Sequence, residues 1–87
     1  MRAQFAKAYY NIGMILDRQN NPKEAAVRYK QALDKCEGDP DNLLVNSATY
    51  KKAGTNYAVA LEKTGVRKDA IDWLQRLGKQ FGEEVRF

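Results

Sequence analysis

Shifted by 45 residues, the sequence falls on itself. Lys7 meets Lys52, Asn11 meets Asn56, Ile12 meets Tyr57, Gly13 meets Ala58 and Leu16 meets Leu61. Further on, Ala25 meets Ala70, Ala26 meets Ile71, Tyr29 meets Leu74 and Ala32 meets Leu77. Apart from Ala26 on Ile71 and Ala32 on Leu77, large residues in these pairs fall on large ones and small on small, without a gap across 26 positions. A unit repeated at this length cannot bury its apolar face alone, so it stacks on its neighbour. The repeat constrains the fold more than any other feature of the chain.

The repeated unit reads as two helices and a turn. A first helix is expected from about Ala3 to Arg18, with Phe5, Tyr9, Ile12 and Leu16 as its apolar stripe. Gly13 sits inside it, where a glycine costs about 0.5–1 kcal/mol relative to alanine. Such a glycine needs a packing reason, and the second helix lying close against it supplies one. Asn20-Asn21-Pro22 stops the first helix and starts the second: Asn21 suits the N-cap, Pro22 the first helical position and Glu24 a capping box. Ala25, Ala26, Tyr29, Ala32 and Leu33 continue the second stripe up to Gly38-Asp39-Pro40.

The third helix is expected to start at Asp39-Pro40 and keep phase through Leu43, Leu44, Ser47, Tyr50, Ala53, Gly54, Tyr57, Ala58 and Leu61, stopping at Thr64-Gly65. A break near Asn46-Ser47 is the alternative, since both residues are good N-caps. A fourth helix runs from about Arg67 to Phe81, with Ala70, Ile71, Trp73, Leu74, Leu77 and Phe81 apolar, and frays at Gly82. Alternation is absent and β-branched residues are few, so no strand is expected. The fold class is all-α: two antiparallel helical hairpins in one domain over 1–87, repeat one about 3–38 and repeat two about 39–82.

These residues resemble the tetratricopeptide repeat family. Tyr9, Ile12, Gly13, Leu16, Ala25, Tyr29 and Ala32 carry the resemblance in the first half, with Asn20 to Ala26 as the inter-helix turn. Tyr57, Ala58, Leu61, Ala70, Leu74 and Leu77 carry it in the second, more weakly, because Gly54 stands where the family has a large residue. The resemblance implies a short superhelix of stacked hairpins. The 45-residue spacing exceeds the family's usual 34 by 11 residues. That excess is almost three turns at about 3.6 residues each, so an extended third helix absorbs it without rotating the buried face. Two units are also fewer than the ~3 a solenoid normally needs. The chain is therefore expected to be a piece of a longer array or to pair with another copy, exchanging helices through the long third helix.

Composition removes several classes of function. No histidine is present, so no Ser-His or Cys-His pair can be assembled. The carboxylates mostly lie beside basic residues, and no Cys, His or Asp set has metal-ligand spacing. The expectation is a protein that is not an enzyme and takes no cofactor. Cys36 alone excludes an internal disulfide and reads as a structural thiol near a helix end. The net charge of +4 is dispersed, without the block of a nucleic-acid arm or a polybasic membrane anchor. Neither a signal-type segment nor an apolar run of ~18 residues is present, so a soluble, cytoplasmic chain is expected. Tyr9, Tyr29, Tyr50, Tyr57 and Trp73 lie on the apolar stripes and read as core. Tyr10, beside Tyr9, is expected to be exposed or to contact a partner.

In tetratricopeptide arrays the first helix of each hairpin lines a concave groove. The resemblance implies a peptide-binding face of Lys7, Tyr10, Asn11, Met14 and Arg18 from the first unit, and Lys52, Thr55, Asn56, Val59 and Lys63 from the second. Lys7 and Asn11 are one turn apart and can point at one ligand group, and Lys52 and Asn56 repeat them. The family's carboxylate clamps use a lysine and asparagine so spaced, with a second asparagine one repeat later; Lys7, Asn11 and Asn56 match. Ammonium and amide donors suit an acidic group. The expected partner is another protein, offering a peptide or a helix, with acidic groups favoured. Self-association through exposed apolar ends is the alternative.

Overall fold

A computed structural model of the chain describes residues 2–38 and 47–81, with the backbone alone for residues 2, 3, 77, 78, 80 and 81. Four α-helices follow one another: α1 (Arg2–Arg18), α2 (Pro22–Glu37), α3 (Ala48–Lys63) and α4 (Arg67–Phe81). No strand occurs among the described residues. Helices α1 and α2 form one hairpin and α3 and α4 the other. Helix α2 lies between them, packed on α1 and on α3, and α1 also touches α3. The all-α pair of stacked hairpins is the expected architecture.

Both hairpin turns use one device. At the end of α1 the Asn21 N–H donates to the Leu16 carbonyl and the Asn20 N–H to the Asp17 carbonyl, each at 3.0 Å. At the end of α3 the Val66 N–H donates to Leu61 at 2.9 Å and the Gly65 N–H to Glu62 at 3.1 Å. This is the Schellman closure, and it needs one residue in the left-handed region. Gly65 takes it at φ 87° and Asn20 at φ 61°; asparagine tolerates that region through its short polar side chain. Asn21 then caps α2, its side chain accepting the Glu24 N–H at 3.5 Å. Gly38 ends α2 at φ −81°, so it makes no use of a glycine's extra freedom.

Helix α3 is shorter than the extended helix expected from the 45-residue spacing. Ser47 has extended backbone and caps α3, its hydroxyl accepting the Tyr50 N–H at 3.2 Å. Ser47 is thus where the described helix begins, as the alternative start expected there, because its hydroxyl satisfies an N–H that the first turn leaves without a helical partner. Helix exchange through a long third helix loses its basis with it. Leu43 and Leu44 lie outside the described residues.

Gly13 is the crossing point of the first hairpin. A Cβ there would lie 2.6 Å from Cε1 and 2.7 Å from Cδ1 of Tyr29, whose ring is wholly buried. The core runs from this crossing through Ala25, Ala26, Tyr29 and Ala60, and through Ala6, Ala32, Leu33, Cys36, Tyr50, Ala53, Ala58, Ala70 and Trp73. Small residues dominate because they let the helix axes approach. The buried thiol of Cys36 fits its structural reading.

The expected stripe of α1 is corrected by this geometry. Phe5 is 55 % and Ile12 42 % exposed, while Tyr9 and Leu16 are half-buried. The buried line instead passes through Ala6 and Gly13 and is flanked by Tyr10 and Met14. Where a helix crosses on a glycine, its closest approach follows the small residues and the large ones are turned aside. Tyr10 is accordingly half-buried against the core rather than exposed.

Candidate functional site

Helices α1 and α3 run as neighbours because unit one and unit two are tied by tyrosines. The Tyr29 hydroxyl donates to Asp17 Oδ2 at 2.7 Å. Its ring stands 5.9 Å from that of Tyr10, and Asn56 Nδ2 donates to the Tyr10 hydroxyl at 3.4 Å. The cluster therefore joins α1, α2 and α3. Burial, then the hydrogen bond and charge of Asp17, push the Tyr29 phenol well above its usual range, while a hydrogen bond from Asn56 works the other way. The second cluster lies at the far end of α2. Tyr50 donates to Glu37 Oε1 at 3.3 Å, and Arg76 of α4 donates to the same oxygen at 2.7 Å. Burial and then the Glu37 charge push the Tyr50 phenol up to about 12. Both clusters set helix against helix.

The Tyr10–Asn56 contact brings the two halves of the expected face together. Lys7, Asn11 and Arg18 are exposed on α1, and Lys52 and Lys63 on α3. Met14, Thr55, Asn56 and Val59 are half-buried. Asn56 differs from Asn11, its counterpart one repeat earlier: Asn56 holds a tyrosine of the preceding unit, whereas Asn11 is exposed. Thr55 donates its hydroxyl to the Lys51 carbonyl at 2.9 Å, back along its own helix. The face thus carries exposed Lys7, Asn11 and Arg18 on α1 and exposed Lys52 and Lys63 on α3, with the Tyr10–Asn56 hydrogen bond between the two helices.

A second concavity escaped the sequence reading. A cleft of about 550 Å³ lies between α2 and the turn joining α3 to α4, with Ala26, Val27, Tyr57, Leu61 and Val66 as its apolar walls and Lys23 and Lys30 at its edge. It uses another side of α3, one residue around from Asn56. Val27 was the available signal: it is large, apolar and off the small-residue stripe of α2.

The family model of the tetratricopeptide repeat matches residues 6–39. Residues 6–39 are a tetratricopeptide repeat. The matched span covers α1 from Ala6, the Asn20-Asn21 turn and the whole of α2, the segment that holds the Gly13–Tyr29 crossing. Such repeats are in general modules of protein–protein interaction, and that is the broad class of function this chain carries. No curated protein and no solved structure matches the chain. No described helix is long and apolar enough to cross a membrane.

Proposed function

We propose that the chain is a non-catalytic binding module, a single domain that captures an extended segment or a helix of another protein across α1 and α3. The observation that supports this reading is the Tyr10–Asn56 bond, which joins α1 to α3 between the two sets of side chains. On that surface Lys7, Asn11 and Lys52 offer ammonium and amide donors to acidic or carbonyl groups. Tyr10, Met14 and Val59 offer apolar contact between them. Arg18 and Lys63 extend the basic character toward the hairpin turns.

Selection of binders from a random displayed-peptide library tests the proposal. Selected peptides should be enriched in Asp and Glu, and Lys7→Ala with Lys52→Ala should weaken them by about tenfold, or 1.4 kcal/mol. Both lysines are exposed, so the helical signal and unfolding midpoint should not move. Selected peptides indifferent to both substitutions would remove this face from consideration.

A further inference from the structure

Phe5, Ala8, Ile12 and Ile15 form an exposed stripe on α1, with the three large residues 55 %, 42 % and 51 % exposed in chain order. They recur every three or four residues and so share one side of the helix, roughly opposite the Tyr10–Met14 side. Three large apolar residues in line on a small domain mark an interaction surface. The repeat shows what such a stripe packs against. Its counterparts 45 residues on are Tyr50, Ala53, Tyr57 and Ala60. In α3 that same line is covered by α2: Tyr50, Ala53 and Ala60 are 1 %, 0 % and 0 % exposed, in clusters with Ala25, Ala26, Tyr29, Leu33 and Cys36. The chain contains both the covered and the uncovered version of one surface.

Charge selects the occupant. Beside the stripe, α1 exposes Gln4, Lys7, Asn11 and Arg18, and Lys35 of α2 lies with its ammonium 5.9 Å from the centre of the Phe5 ring. The only carboxylate of α1, Asp17, accepts the Tyr29 hydroxyl. A second copy would present α4, the repeat counterpart of α2. Its exposed Ile71 has Arg67 and Lys68 about one turn before it, both exposed, which sets cation against cation. We infer that the Phe5–Ile12–Ile15 stripe docks an amphipathic helix of another protein, with small apolar residues at the contact and acidic residues along its edges. The stripe adjoins the α1–α3 face along Lys7, Asn11 and Arg18, but its apolar contacts Phe5, Ile12 and Ile15 belong to it alone, so substitutions there test it by itself.

A labelled peptide copying residues 21–38, the helix that covers the equivalent surface of α3, is the probe. One form keeps its three lysines and the other replaces Lys23, Lys30 and Lys35 by Glu. Fluorescence anisotropy with the full chain should show the acidic form binding at least about tenfold tighter. Ile12→Glu should weaken it by a further factor of about ten or more, with the helical signal unchanged. If that variant loses helix, Ile15→Gln provides the same readout at the other end of the stripe. Equal affinity of the two peptides would overturn the charge argument. Binding that survives both substitutions would place the peptide on α3 in exchange with α2, and would overturn the site. Association of the chain with itself in sedimentation, abolished by Ile15→Gln, would make a second copy the occupant and contradict the proposal.

Discussion

In the first hairpin Gly13 lies beneath the ring of Tyr29, and in the second the corresponding pair is Ala58 and Leu74. The tyrosine is wholly buried and reaches Asp17 at the end of α1. Leu74 is half-buried, and the aromatic bulk has moved one residue earlier, to Trp73. Trp73 turns its ring edge-to-face against Tyr57 at 5.7 Å and lies 6.4 Å from Tyr50. The repeat thus matches a ring with a glycine in the first hairpin and an aliphatic chain with an alanine in the second. The small partner in each helix is set by the bulk it receives.

Removing the large partner should separate the hairpins most. Tyr29→Ala empties a fully buried site and should cost about 3–5 kcal/mol, whereas Leu74→Ala at a half-buried site should cost about 1–2 kcal/mol. Urea denaturation of both variants measures the difference, and equal losses would erase the distinction between the joints. Next in size, Gly65→Ala should cost about 1–2 kcal/mol, since it forces a side chain into the left-handed region at φ 87°. Nothing lies within 4 Å of the added Cβ, so the loss is one of backbone alone. Asn20→Gly, at the matching turn, should instead leave stability equal or slightly raised. Thermal melts of the two variants read this contrast.

Alkaline pH provides a finer comparison of the two tyrosine clusters packed on α2. Tyr50 is pushed up to about 12 and Tyr29 also upward, from an ordinary value near 10. A raised folded-state value means the folded chain holds its protons longer than the unfolded one. The stabilisation is therefore complete below about pH 10 and is lost as the pH climbs through about 12. Melting temperature should be flat up to about pH 10 and then fall, and Tyr50→Phe should flatten part of the decline. A melting temperature that stayed level to pH 12 in the unsubstituted chain would contradict these burials.

Much of this fold is legible in the sequence. Gly13, Asn21-Pro22 and Gly65 announced a crossing, a start and a stop, because each residue suits one backbone need and few others. The four helices follow from them. The outer limit of α3 was not legible: Asp39-Pro40 and Ser47 are both competent starts, and helical phase holds through either. The stripe of α1 was misread for a related reason. Phe5 and Ile12 are apolar at helical spacing, but a helix crossing on small residues buries Ala6 and Gly13 and leaves those larger neighbours outside. Hydrophobic periodicity registers size and spacing, not where another helix makes its closest approach. The proposed binding face rests on Lys7, Asn11 and their repeats. The Tyr10–Asn56 tie could not be seen, since it joins residues 46 apart. The apolar cleft at Val27 and Val66 was hidden because its walls come from three separate segments.

The two hairpins are copies of one joint whose small residue is matched to its large one. A double-mutant cycle between Gly13→Ala and Tyr29→Leu tests it directly, since together they rebuild the first crossing with the residues of the second. Gly13→Ala alone should destabilise by about 1–3 kcal/mol through overpacking against Tyr29, despite alanine's better helix propensity. In the Tyr29→Leu background the same substitution should become neutral or stabilising, giving a coupling energy of at least about 1 kcal/mol. Additive effects of the two substitutions, within about 0.3–0.5 kcal/mol, would contradict the claim.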